Sequence, residues 1–235
     1  GYIFCEKPPC TNIKNLNFLK KINSRKIYYN FNYRFSKLYK TLQNRKKYNL
    51  GRLLHGTIIN GHALGLKENY RINWRSNKKI SRKGILEVVS IHFLDIINNI
   101  FGIKKIEFLK LKNHSVYGNS YDNANIILTT KDNAVLSIFN SWTSELIQKN
   151  IFIFKNGSIE KNNNTIIVRG PALNLDKNNF TRLPKLKAKF HLNSNNLNNN
   201  TLLKSVEYFL KTSSEKKYFK KKEIINSLTS NYFVV

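Results

Sequence analysis

An apolar run that ends at a charged residue and a proline opens this sequence and constrains its fold. Residues 2–5 (YIFC) are followed by Glu6-Lys7-Pro8. The pattern predicts a strand that stops abruptly, with the Lys7 ammonium at its carboxyl end. Ligands of open α/β sheets bind at that edge, so Lys7 is a candidate functional residue. The alternative is a solvated lysine in front of an ordinary proline turn.

Further along, the sequence alternates between helical and strand patterns. Apolar residues at helical spacing predict helices over residues 11–22, 35–42, 85–100 and 202–210. Runs rich in Ile, Val and Phe predict six strands after the first unit, over residues 53–59, 105–111, 125–130, 135–142, 151–155 and 165–168. The expected fold is α+β: an open, mostly antiparallel six-stranded sheet with helices on one face. Residues 193–200 are expected to form a low-complexity loop, and the lysine-rich tail is expected to fray.

The net charge of +28 is typical of nucleic-acid-binding proteins, but the composition argues against that function. Lysine outnumbers arginine 32 to 9 and asparagine reaches 36, which is the usage that A/T-rich codons produce. Phosphate recognition favours arginine, whose planar fork binds two oxygens at once. The lysines are also scattered, apart from a dense stretch at residues 216–222. Nucleic-acid binding is therefore kept only as an alternative.

Other functional classes are excluded more simply. No run of about 18 apolar residues is present, so we expect no transmembrane helix. The five histidines share no metal-ligand spacing, and the two cysteines flank a Pro-Pro turn, so we expect neither a metal site nor a disulfide framework. These features favour a cytoplasmic protein.

Several short motifs, taken in order, resemble the Gfo/Idh/MocA family of NAD(P)-dependent sugar oxidoreductases. After Glu6-Lys7-Pro8 come Thr11-Asn12, residues 29–35 (YNFNYRF), residues 50–53 (LGRL) and Trp74-Arg75. Residues 84–95 (GILEVVSIHFLD) and 205–210 (SVEYFL) complete the set. Each motif alone is weak, whereas the ordered set covers most of the chain.

The resemblance implies a division into two domains. Residues 1–35 would be the last strand-helix-strand of a Rossmann nucleotide-binding domain, and residues 36–235 an α/β substrate-binding and oligomerisation domain. The sequence contains no Met and no G-x-G-x-x-G, the turn that holds a dinucleotide pyrophosphate. We therefore expect the C-terminal portion of an oxidoreductase, inactive alone, whose intact form uses NAD or NADP and forms a homo-oligomer through the open sheet face.

The resemblance also assigns roles to individual residues. Lys7 and His92 would be catalytic, the first stabilising a substrate oxygen and the second transferring a proton. The expected cofactor-binding residues are Glu6, Lys7, Pro8 and Arg34. The expected residues that bind the sugar or sugar-nucleotide substrate are Asn32, Trp74, Arg75 and Asp95. From the residues alone, a single histidine among Val, Ile, Phe and Leu on a helix is usually a core residue.

The sequence departs from the family pattern at Val88. The family commonly carries an Asp four residues before the histidine, and here Glu87 stands one position earlier. A residue advances about 100° around an α-helix, so Glu87 replaces that Asp only if the helix shifts locally. A non-catalytic family member therefore stays open as a second hypothesis.

Overall fold

The computed structural model describes residues 1–22, 24–170, 175–192 and 199–235. The strands are β1 (Ile3–Glu6), β2 (Ile27–Asn30), β3 (Leu53–Gly61), β4 (Ile103–Lys112), β5 (Asn123–Thr130), β6 (Val135–Ser141), β7 (Ile147–Phe154), β8 (Gly157–Asn162), β9 (Thr165–Arg169) and β10 (Leu186–His191). The helices are α1 (Ile13–Ile22), α2 (Lys37–Gln43), α3 (Ile91–Phe101), α4 (Asn199–Ser214) and α5 (Lys221–Tyr232). Among the described residues, no helix is long and apolar enough to cross a membrane.

The chain begins with a β1-α1-β2 unit whose two strands run parallel, as βαβ connectivity requires. Glu6, at the end of β1, lies opposite Asn30. The Asn12 side chain accepts a hydrogen bond from the backbone N–H of Asn15 and caps α1, so the helix begins close to its predicted start. Leu16 is the fully buried contact of this helix. Lys7 therefore follows the carboxyl end of a strand, as the sequence predicts.

The large sheet has eight strands, in the order β10-β9-β8-β7-β3-β6-β5-β4, so the predicted count of six is wrong. Only β3 and β6 pair in parallel, and every other pairing is antiparallel. The two missed strands are β8 and β10. Their sequences, GSIEKN and LKAKFH, bury little apolar surface because they lie toward one edge of the sheet and carry several charges. They therefore lack a strong hydrophobic alternation.

The two faces of the sheet differ. One face is covered by helices and holds the fully buried Phe152, Ile166 and Val168. The alternating apolar residues Ile151, Ile153, Ile166 and Val168 predict an apolar open face, and this is wrong for Ile166 and Val168 because both have no exposed surface. The other face carries Ile151 and Ile153 together with further partly exposed apolar side chains. These are Phe108, Ile127 and Val135.

The long apolar helix predicted over residues 85–100 is interrupted near its start. A π-helical turn spans Leu86–Ser90, and α3 continues from Ile91 to Phe101. Gly102 then ends the helix with a positive φ of 69°. π-helical turns are rare and frequently mark functional sites.

The C-terminal helices return to the first unit of the chain. The Tyr28 hydroxyl bonds to Ser205 of α4, and the Phe219 ring packs on Tyr28. The predicted frayed tail is wrong, since α5 is a regular helix that buries Ile224 and Leu228. Residues 199–235 thus contact the segment that the sequence analysis assigned to a separate domain. The predicted loop at residues 193–200 falls largely outside the described residues.

Candidate active site

Lys7 extends from the end of β1 to the π-helical turn. Its Nζ donates a hydrogen bond of 2.5 Å to the backbone carbonyl oxygen of Val88. The side chain is half-buried, and the Lys7-Pro8 peptide bond is cis. The strand end and the helix that carries His92 are therefore joined by the lysine ammonium.

The surroundings of Lys7 make its ammonium more acidic. Burial lowers the pKa of Lys7 to about 8, and the Arg75 guanidinium acts in the same direction. The Glu6 and Glu87 carboxylates oppose the shift. At neutral pH the side chain is still an ammonium, and a partly desolvated ammonium stabilises a developing negative charge strongly.

His92 is buried, with 6% of its surface exposed. Its ring stacks on that of Tyr33, with centroids 4.2 Å apart and an angle of 16° between the planes. Burial lowers the pKa of His92 well below its usual 6.5, and the positive charges of Lys7 and Arg34 lower it further. The imidazole is therefore neutral at pH 7 and lies within electrostatic range of Lys7. Its buried Nδ1 has no hydrogen-bond partner among the described residues.

Glu87 belongs to the same site, although the sequence analysis discounted it. The carboxylate is buried, accepts a hydrogen bond of 3.0 Å from the Ser81 hydroxyl and raises the pKa of Lys7. Glu87 lies within the π-helical turn, and its carboxylate acts on Lys7 rather than on the His92 ring. Val88 instead packs its side chain into a small apolar cluster with Tyr70 and Trp142.

The π-helical turn departs from the 100° per residue of an α-helix, so the α-helical spacing used for the sequence misplaces Glu87. The sequence signal was a carboxylate in an otherwise apolar run. A helical wheel drawn at 100° per residue concealed it.

Arg75 and Trp74 lie on the loop before the π-helical turn. The Arg75 guanidinium lies over the Trp74 ring, 4.3 Å from its centroid. Burial lowers the pKa of Arg75, and its charge in turn lowers that of Lys7. Trp74 keeps 46% of its surface exposed. Arg75 thus adds a second cation to the Lys7 environment, with an accessible aromatic ring beside it.

Arg34 and Asp95 bind each other inside the protein. The guanidinium makes two hydrogen bonds to the carboxylate, from Nε at 2.8 Å and from Nη2 at 2.6 Å. Arg34 also donates to the Glu223 carbonyl and to Ser227, while Asp95 accepts from Asn99 and Ser230. The pair ties α3 to α5. The Asp95 oxygens are occupied by these donors, so Asp95, which was predicted to bind substrate, has internal partners instead.

The remaining predicted residues contact other parts of the fold. Asn32 donates a hydrogen bond of 3.0 Å to the Thr201 hydroxyl at the start of α4. Glu6 accepts one of 2.7 Å from Asn30, which fixes its side chain against β2. Pro8 follows the lysine in the turn after β1. The structure therefore gathers Lys7, His92, Glu87 and Arg75, and it gives Arg34, Asp95 and Asn32 internal contacts.

A neutral imidazole beside an ammonium suits proton transfer at a hydroxyl or carbonyl group. In general, an ammonium can stabilise an alkoxide, and a neutral imidazole can accept or return a hydroxyl proton. Among the described residues, no cluster of three metal-ligating side chains occurs. The protein groups at this site therefore offer acid-base and electrostatic chemistry.

No protein-family model matches the chain, and no curated protein matches it. Solved structures do, and they cover 99% of this chain. An oxidoreductase from Thermotoga maritima matches with a TM-score of 0.72 at 18% identity, over 67% of its own length. Levoglucosan dehydrogenase in complex with NADH and levoglucosan matches at 0.74 and 16%, over 70% of its length.

A third match is a variant of a 3-ketoreductase from Actinomadura kijaniata, in complex with TDP-benzene and NADP. It has a TM-score of 0.75 at 13% identity and is covered over 69% of its length. At these identities the matches establish the fold. The chain has the fold of oxidoreductase structures and spans about two thirds of their length.

Proposed function

We propose that this chain is the substrate-side part of an NAD(P)-dependent oxidoreductase that acts on a hydroxyl or carbonyl group of a sugar or sugar nucleotide. The carrying observation is the contact of the Lys7 ammonium with the turn that precedes His92. Two cations and a neutral imidazole are concentrated there, at the end of a strand of a βαβ unit. The family resemblance and the shared fold point to the same chemistry.

The residues present fit the nicotinamide end of a dinucleotide. Glu6, Lys7 and Pro8 line the carboxyl end of β1, and the Lys7 ammonium is a donor suited to a ribose hydroxyl or an amide oxygen. Arg34, bound to Asp95, contributes through the position of α3. When bound, NAD or NADP supplies the hydride acceptor or donor. The proposal concerns the intact protein, since the 235-residue sequence contains no pyrophosphate-binding G-x-G-x-x-G turn.

In the proposed division of work, Lys7 stabilises the substrate oxygen and His92 transfers its proton. Glu87 keeps Lys7 protonated, which the direction of its effect on the Lys7 pKa supports. Trp74 and Arg75 bind the substrate, the first by stacking on a sugar face and the second through an anionic group. The named ligands of the structural neighbours, levoglucosan, L-tartaric acid and a TDP derivative, suggest hydroxylated substrates.

The test is turnover of the intact protein on a panel of sugars and sugar nucleotides with NAD or NADP, followed through the nicotinamide absorbance. Lys7→Met is expected to lower turnover about 100- to 1000-fold, the usual cost of losing an electrostatic donor at a developing oxyanion. The matched control is Lys149→Met, which removes an exposed lysine from β7. Equal turnover of the two folded variants would refute the role of Lys7.

A further inference from the structure

The helix-covered face of the large sheet becomes polar at one end of three neighbouring strands. Asn60 of β3 lies opposite Gln148 of β7, and Asn150 of β7 lies opposite Lys161 of β8. Gln148 and Asn150 are two residues apart, so their side chains share a face. We call these four residues the Lys161 patch. Their neighbours on the same face, Ile58 and Phe152, are fully buried.

A cavity of about 290 Å³ adjoins the Lys161 patch, and all four patch residues line it. Tyr33 and Phe93 contribute aromatic walls, and Lys37 and Lys204 add two more basic side chains. Neither Lys7 nor His92 belongs to the lining. The cavity is close to the lower end of the volumes that small-molecule sites have in proteins, so it suits a ligand about the size of a single sugar.

Lys161 is a buried cation without a charged partner. Only 9% of its surface is exposed, and its Nζ donates a hydrogen bond of 2.5 Å to the Gln148 amide oxygen. Burial is the cause that lowers the pKa of Lys161 to about 8. None of the described residues that line the cavity is acidic. Buried lysines are rare unless they are paired. Among the described residues, the Lys161 ammonium has Gln148 as its hydrogen-bond partner and no carboxylate in an ion pair with it.

Asn150 provides a second incomplete group at the same place. Its side chain is 3% exposed, and its Oδ1 has no hydrogen-bond partner among the described residues. A buried amide oxygen without a partner costs stability unless a ligand or water supplies a donor. The oxygen requires a donor and the ammonium requires an anion, and a hydroxylated acid supplies both.

We propose that the cavity beside the Lys161 patch binds a small hydroxylated anion, with its carboxylate or phosphate on Lys161 and a hydroxyl group on Asn150. Neither Lys7 nor His92 lines the cavity, although the Tyr33 ring in its wall stacks on His92, and binding there requires no dinucleotide. The anion-binding proposal is tested independently of the hydride-transfer proposal, since binding is measured on this chain without cofactor.

The experiment is calorimetric titration and thermal unfolding of the chain with matched probes. Glucuronate and glucose share a ring and differ in the carboxylate, so they test whether a carboxylate is needed. Glucose 6-phosphate and inorganic phosphate test whether a phosphate binds with or without the sugar. We expect at least one of the two sugar anions to bind and to raise the melting temperature, and glucose to do neither. Binding of inorganic phosphate alone would overturn the hydroxylated part of the proposal.

Three variants locate the binding. Lys161→Met is expected to weaken the anion about 10- to 100-fold, as loss of a charged hydrogen bond predicts. Without ligand it should be at least as stable as the wild type, because it removes a desolvated charge. Lys149→Met, on the opposite face of β7, should bind as the wild type does. Asn150→Ala should weaken binding without changing the charge of the site. Unchanged affinity in the folded Lys161→Met variant, or no binding of any anionic probe, would overturn the proposal.

Discussion

The Lys7 ammonium donates its hydrogen bond to the carbonyl oxygen of Val88, 81 residues further along the chain. This contact connects the end of β1 to the turn that precedes His92. Lys7 is therefore placed by two elements, since the strand fixes its backbone and the helix fixes its charged end. Such double anchoring is what a precisely positioned electrostatic group requires.

The depressed pKa of Lys7 predicts how stability changes with pH. Because its pKa is about 8 in the folded state and 10.5 otherwise, the unfolded chain binds more protons between these values. Stability is therefore expected to rise with pH across this window. Urea unfolding of the wild type and of Lys7→Met at about pH 7.5 and about pH 9.5 measures the difference. The increase should be smaller in the variant, and an equal increase would contradict the buried position of Lys7.

Two substitutions at His92 distinguish a catalytic role from a packing role. His92→Phe keeps an aromatic ring to stack on Tyr33 but transfers no proton, whereas His92→Ala removes both functions. We expect both variants to lower turnover of the intact protein about 10²- to 10⁴-fold. Only the alanine variant should lower the melting temperature clearly. Unchanged turnover in either folded variant would show that His92 is a core residue.

The same histidine makes the fold sensitive to acid. The folded-state pKa of His92 lies below its ordinary 6.5, so the unfolded chain takes up a proton first as the pH falls. The stability supplied by the neutral ring is present above pH 6.5 and is lost below it. The free energy of unfolding should fall more steeply with acid in the wild type than in His92→Phe. Parallel curves for the two proteins would contradict this.

The Arg34–Asp95 pair is expected to support the fold. Asp95 is 1% exposed, so Arg34→Ala leaves a buried carboxylate without its cation and should cost about 3–5 kcal/mol of unfolding free energy. Replacing both partners, as in Arg34→Met with Asp95→Leu, should recover much of that loss. Denaturant unfolding of the single and double variants tests this. A double variant as unstable as the sum of its single changes would show that the two residues act separately.

The sequence predicted the helices and strands with strong hydrophobic periodicity. It missed β8 and α5, whose contacts with other elements are not visible in the local pattern. The β1-α1-β2 unit and the strands rich in Ile and Phe follow from local pattern. In contrast, β8 has the sequence GSIEKN, and its Ile159 and Lys161 lie opposite Phe152 and Asn150 of β7. In α5, Ser227 and Ser230 bind Arg34 and Asp95, contacts that no local signal reveals.

The candidate site shows the same limit. Lys7 and His92 were found through the ordered motifs, whereas Glu87 was discounted because α-helical geometry was assumed. In the π-helical turn, Val88 packs with Tyr70 and Trp142 from other segments, and these contacts are not visible in the local sequence. Arg34 and Asp95 were assigned to ligands through the family resemblance, and nothing in the local sequence reveals that the two residues bind each other.

The open face of the large sheet predicts association of two copies. Phe108, Ile127 and Ile153 are each at least 40% exposed there, so this face carries exposed apolar side chains on β4, β5 and β7. Ile153→Lys, at this face, should shift the protein toward the monomer in sedimentation experiments. Ile72→Lys is the control, because Ile72 is 89% exposed away from the sheet. A wild type that is monomeric at all concentrations would refute the prediction.

Glu87 is expected to set the protonation of Lys7. Glu87→Gln keeps an oxygen that accepts from Ser81 but removes the negative charge, so the pKa of Lys7 should fall further below its ordinary value. An NMR titration of labelled lysine side chains reads this shift directly, and the pH profile of turnover in the intact protein should move to lower pH with it. Glu160→Gln is the matched control, since Glu160 also accepts from a serine, Ser158, within β8. It should leave the Lys7 titration in place. If Glu87→Gln leaves that titration unchanged as well, then the carboxylate acts only on Ser81, and the π-helical turn does not restore an acidic residue to the site.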